Sequence, residues 1–125
     1  IYTLSLHDAL PISYIKNKLE IPVLRYAGNK DCLVEKIAIL GGAGAEFAGV
    51  AKSIGADLYL TGDLKYHEAQ DAAMNGLVIA DGGHFYTERV IIPYLAKRLR
   101  DEFKTRGWNV GVLEDVRAKD IFHCV

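Results

Sequence analysis

A chain of 125 residues, half of them hydrophobic, can bury one globular core. Fifteen basic and sixteen acidic residues nearly cancel, to a net charge of −1, which leaves no electrostatic footprint for nucleic acid or an anionic membrane. No run reaches the roughly 18–20 apolar residues of a membrane-spanning helix. The two cysteines, Cys32 and Cys124, are far apart and have no CxxC partner. Such sparse use suits free thiols in a reducing cytoplasm, so a cytoplasmic α/β domain is the expectation.

The first thirteen residues, IYTLSLHDALPIS, read unlike the rest. They resemble the in-frame translation of a sequencing-adapter oligonucleotide. On that reading His7 and Asp8 are no metal pair and Pro11 is no designed turn, and scars of this kind are set aside in fold reasoning. The expectation is that residues 1–13 are not native, and that 14–125 form a single α/β domain, the C-terminal part of a longer protein.

From Tyr14 the text alternates between strand and helix. Residues 14–19, YIKNKL, read as a helix end, with Ile15 and Leu19 on one face, and Pro22 stops it. IPVLRYAG is a short β-rich run. VEKIAILGG passes into a continuous apolar run, which predicts a strand buried on both faces. Residues 45–54 have helical spacing, with Phe47, Val50, Ala51 and Ile54 as the apolar stripe. DLYLT predicts the next strand, a helix runs from Leu64 to about Asn75, and LVIAD predicts a third buried strand. Tyr86 to about Thr105 reads as a long amphipathic helix with Val90, Ile91, Tyr94, Leu95, Leu99 and Phe103 toward the core. Pro93 sits either in its first turn or after a separate short turn. WNVGVLED predicts a last strand.

Strand and helix alternating at this spacing imply right-handed crossovers. The predicted fold is three-layer α/β, a mostly parallel sheet with helices on both faces. In such sheets ligands bind beyond the carboxyl ends of the strands. Three of those ends carry conspicuous residues: Gly41-Gly42-Ala43-Gly44, Gly62-Asp63 and Asp81-Gly82-Gly83-His84.

The glycine loop is not a dinucleotide fingerprint, because Phe47 stands where the third glycine should be, and it lacks the Lys-Ser/Thr ending of a P-loop. Gly42 and Gly44 belong either to a tight strand-to-helix turn or to an anion-facing backbone at the next helix. In TGDLKYHEA, Asp63 fits a helix N-cap, or a polar group at the site. His67 is either a solvated helix residue or one directed to the same edge. HFYTE is the sharpest feature. His84 and Glu88, four residues apart, can reach one metal ion at about 2.0–2.2 Å, with Asp81 orienting the imidazole through its other nitrogen. The alternative is Thr87 as an N-cap, with Glu88 in the favourable field of the first turn.

VEKIAILGGAG, GADLYLTGDLKYHEA and IADGGHFYTER, with KLEIPVLRYAGN before and WNVGVLEDVRAKDIF after, resemble the family of GTP cyclohydrolase I type 2 homologues, or dinuclear metal-centre proteins. The likeness covers nearly all of 14–125. It departs at Gly83, where the family often has alanine, and at Asp120-Ile121-Phe122, which lacks the usual proline. The resemblance implies the C-terminal half of that family's fold and a site of two divalent ions, of zinc, iron, manganese or magnesium. His84 and Glu88 would be metal ligands, the remaining ligands coming from an upstream half. Asp63 and His67 match the GDxKYH motif near the metals, and Asp63 and Asp81 are expected to support the ligands.

The activity expected from this resemblance is metal-dependent hydrolysis, with a metal-bridged water as nucleophile and His67 as proton shuttle. The resemblance also implies a homohexamer and a small, nucleotide-like ligand. The rival is a non-enzymatic metal-binding or metal-delivery protein. A nicotinamide-type cofactor domain is disfavoured by the missing glycine.

Overall fold

The computed structural model describes residues 11–29 and 31–125. Helix α1 (Pro11–Lys18) leads to a short strand, β1 (Arg25–Ala27), and then to β2 (Ile37–Ala43). A 3-10 turn (Ala45–Phe47) and α2 (Ala48–Ser53) follow, then β3 (Leu58–Gly62), α3 (Tyr66–Met74) and β4 (Val78–Asp81). Two helices close the order, α4 (His84–Glu88) and α5 (Ile91–Thr105). None of the described helices is long and apolar enough to cross a membrane. Residues 1–10, and with them His7 and Asp8, lie outside the described residues. Residues 11–13 form the first turn of α1, and Ile12 packs in the core.

The four strands pair in the order β1-β4-β3-β2. β2, β3 and β4 run parallel, with Leu58 opposite both Ile37 and Val78, and β1 is antiparallel to β4. Alternation along the central strands builds a core on each face. Leu58, Leu60, Val78 and Ala80 meet Ile12 and Ile15 of α1 on one side. Tyr59 and Ile79 meet Ala51 of α2 and Ala72 of α3 on the other. The three-layer α/β reading therefore holds, and the carboxyl ends of β2, β3 and β4 lie at one edge.

Several local expectations are corrected. β2 is not buried on both faces: it is the outer parallel strand, and Ile39 is 61% exposed. The stripe on residues 45–54 buries only Ala51, with Phe47, Val50 and Ile54 left exposed. The long helix is divided. Arg89 and Val90 separate α4 from α5, which places Pro93 in the first turn of α5, where its missing N–H is harmless. In α5 the buried residue is Ala96, whereas Val90, Ile91, Tyr94, Leu95 and Leu99 are exposed. Amphipathic spacing identified an apolar face, but none of the described elements covers it. Residues 108–115 are not a strand either. Arg100 holds them beside α5, donating to Glu114 Oε1 at 2.7 Å and to the Val112 carbonyl at 3.0 Å. None of the four strands pairs with them, and a strand pattern without a neighbouring ladder forms no sheet.

Candidate metal-binding site at the strand ends

β3 and β4 end side by side, and their turns are locked together. The Gly82 N–H donates to the Thr61 carbonyl at 2.8 Å. Gly62 leaves room for this, since a Cβ there would stand 2.8 Å from the Gly83 carbonyl carbon and 2.9 Å from the His84 nitrogen. Beyond Gly62, Asp63 takes φ +55°, the left-handed region that aspartate tolerates better than most residues. That twist turns its carboxylate across to the β4 turn. Asp63 Oδ2 comes within 2.7 Å of His84 Nδ1.

His84 and Glu88 are the first and last residues of α4, so one helical turn brings them together. His84 Nε2 faces Glu88 Oε1 at 3.3 Å. The imidazole thus has a carboxylate at each nitrogen, and its pKa is raised above 6.5, first by the Asp63 hydrogen bond and then by the Glu88 charge. β2 completes the wall. Its register shifts between Ile39 and Ala43, and in that irregularity Gly42 adopts φ +73°. A Cβ on Gly42 would collide with Glu88 Oε1 and stand 3.2 Å from His84 Nε2.

Thr87 joins these pieces. It is buried, and its Oγ1 accepts from the Gly42 N–H at 2.9 Å and donates to the Gly83 carbonyl at 2.8 Å. Thr87 therefore lies inside α4 and ties it to β2, and it is not an N-cap. Its place in the GHFYTE motif was the only hint of this role.

Asp81 does not orient His84. Its buried carboxylate accepts from Arg25 Nη2 and from the Leu64 N–H at 3.2 Å, and its other oxygen accepts from the Gly83 N–H at 3.0 Å. It holds both turns in place, and Asp63 orients the imidazole. Nor is Asp63 an N-cap, since α3 begins after Lys65. Arg25 escaped sequence reasoning because its carboxylate partner lies 56 residues away.

His67 stands on the exposed first turn of α3. Its Nδ1 is 3.4 Å from Gln70 Oε1 and its ring is edge-on to Tyr66, and it does not line the cleft that holds His84. Gly44 is a packing residue: its carbonyl accepts from the Tyr59 hydroxyl at 2.6 Å, and a Cβ there would meet Leu40, Thr61 and Tyr59. The turn and short helix after it present no extended N-terminus to an anion.

His84 and Glu88 open onto a cleft of about 1610 Å³ that also reaches Asp63, the start of α5 and the tail around Ile121 and Phe122. Their 3.3 Å separation suits an imidazole nitrogen and a carboxylate oxygen sharing one ion at about 2.0–2.2 Å. The space that a Gly42 side chain would fill is left free beside them. The pair therefore fits a divalent cation. Among the described residues, no three His, Cys, Asp or Glu side chains converge on one metal position.

Fold and site together define the class: an α/β domain with a histidine–carboxylate cluster at the carboxyl edge of its parallel strands. The family model for Duf34/NIF3 (NGG1p interacting factor 3) matches residues 4–119, and the chain belongs to that family. It is 37% identical over 114 residues to a GTP cyclohydrolase 1 type 2 homolog of Clostridium perfringens, covering 91% of this chain and 42% of the relative. It is also 37% identical over 99 residues to a Bacillus subtilis protein of the same name, covering 79% of this chain and 26% of that one. Among solved structures, a Bacillus cereus protein related to NIF3 superposes with a TM-score of 0.86 at 35% identity, over 96% of this chain and 34% of that one. A Staphylococcus aureus hypothetical protein superposes with a TM-score of 0.86 at 30% identity, over 97% of this chain and 41% of that one. The chain thus spans well under half the length of these relatives.

Proposed function

We propose that His84 and Glu88 are metal ligands, and that the protein is a metal-dependent hydrolase in which this strand edge supplies part of a two-ion centre. The observation that carries the reading is the pair of carboxylates on His84: Asp63 at Nδ1 and Glu88 beside Nε2. An imidazole held through Nδ1 presents Nε2 in one fixed direction, as metal-ligating histidines do. Divalent ions at such a centre would supply Lewis acidity and lower the pKa of water. The chain's own residues bind and orient. Glu88 contributes charge, Asp63 fixes the ring, and Thr87 holds α4 against β2. The names of the relatives support a family kinship, and the substrate class, nucleotide-like or other, is part of the proposal.

Replacing Glu88 by alanine in the intact protein is expected to lower bound zinc, manganese or iron by elemental analysis. Unchanged metal content would remove Glu88 from the ligand set.

A second reading, metal binding or delivery without turnover, is favoured by the position of His67. The residue assigned to proton transfer faces Gln70 rather than the cleft. Metal-dependent hydrolysis that survives His67→Ala would remove the shuttle role and keep the hydrolase.

The hexamer implied by the family resemblance is also proposed. Its support is the uncovered face of α5, where Tyr94 is 60% exposed and Leu95 48%. Contiguous apolar surface of this kind marks an interface. A monomeric mass for the intact protein in sedimentation velocity would overturn it.

A further inference from the structure

On the other side of Asp81 from the His84 cleft lies a second cavity, of about 400 Å³, between β1 and the start of α3. Ala27 and Ala69 line it with small residues, Tyr26 and Tyr66 with aromatic side chains, and Arg25 and Lys65 bring two cations. The volume is within the lower range of small-molecule sites. Both tyrosines are substantially exposed, Tyr66 at 78%, and so are open to a ligand.

The polar groups are set in a way that points to charge. Asp81 pairs its charge with Arg25 and also accepts from the Leu64 and Gly83 N–H groups, so the lining residues leave one net positive charge, that of Lys65. Arg25 uses only Nη2, on Asp81 and on the Leu64 carbonyl at 3.2 Å. Among the described residues no acceptor meets its Nε or Nη1, and none meets Lys65 Nζ. The anchored guanidinium therefore keeps donors in a fixed plane, which matches a carboxylate or phosphate. A lining of two tyrosines and two alanines suits the face of a ring.

We propose that this cavity is a binding site for a planar aromatic ring carrying an anionic group, with the ring against Tyr26 and Tyr66 and the anion on Arg25 and Lys65. The site is independent of metal at His84. Its only link to the metal reading is the wall that Asp81 and Arg25 form between the two cavities.

The test is calorimetric or NMR titration of the intact protein with benzoate and with phenyl phosphate, which separate a carboxylate from a phosphate source. Cyclohexanecarboxylate and benzyl alcohol are the controls lacking the aromatic ring or the charge. Saturable binding of either aromatic anion is expected, with both controls at least about tenfold weaker. Tyr66→Ala and Lys65→Ala, both at exposed positions, are each expected to weaken it by about fivefold to tenfold while the circular dichroism spectrum is unchanged. Binding of one aromatic anion alone identifies the source and supports the site. Absence of saturation by both aromatic anions up to roughly 10 mM would overturn it. Equal binding of cyclohexanecarboxylate, or full affinity in the two variants, would overturn it as well.

Discussion

Asp63 Oδ2 and His84 Nδ1 lie 2.7 Å apart, joining the turn after β3 to the first residue of α4 across 21 positions of sequence. The contact exists because Asp63 accepts a left-handed backbone, φ +55°, where most side chains are strained. Asp63 and Glu88 both favour the protonated ring, with the Asp63 hydrogen bond the larger effect.

In the metal-free protein, the His84 imidazole is therefore expected to titrate above 6.5 by NMR, and Asp63→Asn to move it down. A folded pKa raised above the unfolded one contributes stability that is complete below about 6.5 and lost as pH rises through the folded value. A divalent ion competes with that proton, so metal uptake is expected to improve as pH rises through the same range. An Asp63→Asn midpoint equal to that of the unsubstituted chain would show that Asp63 does not hold the ring.

Gly42 and Gly49 make a matched pair. Alanine at Gly42 would have to adopt φ +73° and push its Cβ onto Glu88 and His84, whereas a Cβ on Gly49 meets nothing within 4 Å. Gly42→Ala is expected to cost about 1–2 kcal/mol in urea unfolding. Gly49→Ala, inside α2, is expected to add about 0.5–1 kcal/mol. Equal effects would mean that the β2 irregularity is not needed beside Glu88.

Asp81 is 6% exposed and satisfies two backbone N–H groups, those of Leu64 and Gly83. Asp81→Ala leaves both without their acceptor, a loss of about 2–4 kcal/mol measurable by denaturant titration. Its ion pair with Arg25 adds little, because the arginine side chain is 69% exposed. A loss under about 0.5 kcal/mol would mean that water replaces the carboxylate in both turns.

Cys32 is half-buried, and burial followed by the charge of Asp57 raises its thiol pKa above 9.0, while Cys124 is exposed. Iodoacetamide at neutral pH is expected to label Cys124 first, because the thiolate is the reacting form and Cys32 holds its proton. Peptide mass mapping that found Cys32 modified first would contradict the packing around it.

On the proposed reading His84 and Glu88 would supply two protein ligands, and a strong site usually has three or more. Calorimetry of this chain with zinc or manganese is expected to give a dissociation constant weaker than about 1 μM. Sub-micromolar affinity would mean that a further ligand has been missed.

Much of this arrangement was legible in the residues themselves. Short-range patterning located β3 and β4, whose continuous apolar runs occupy the two central strands and are buried on both faces. It also paired His84 with Glu88, since four residues span one helical turn wherever the helix sits. Long-range choices were not legible. Spacing could not decide which carboxylate reaches His84 Nδ1; the left-handed turn at Asp63 and the capture of Asp81 by Arg25 and two backbone amides decided it. Periodicity marked the apolar faces of α5 and of residues 108–115 but could not say what covers them, because burial belongs to the neighbour as much as to the stripe. In the folded chain Leu95 remains half exposed and Leu113 is 97% exposed. Local sequence determined the central strands and the one-turn spacing of His84 and Glu88, and tertiary contact alone assigned the partners.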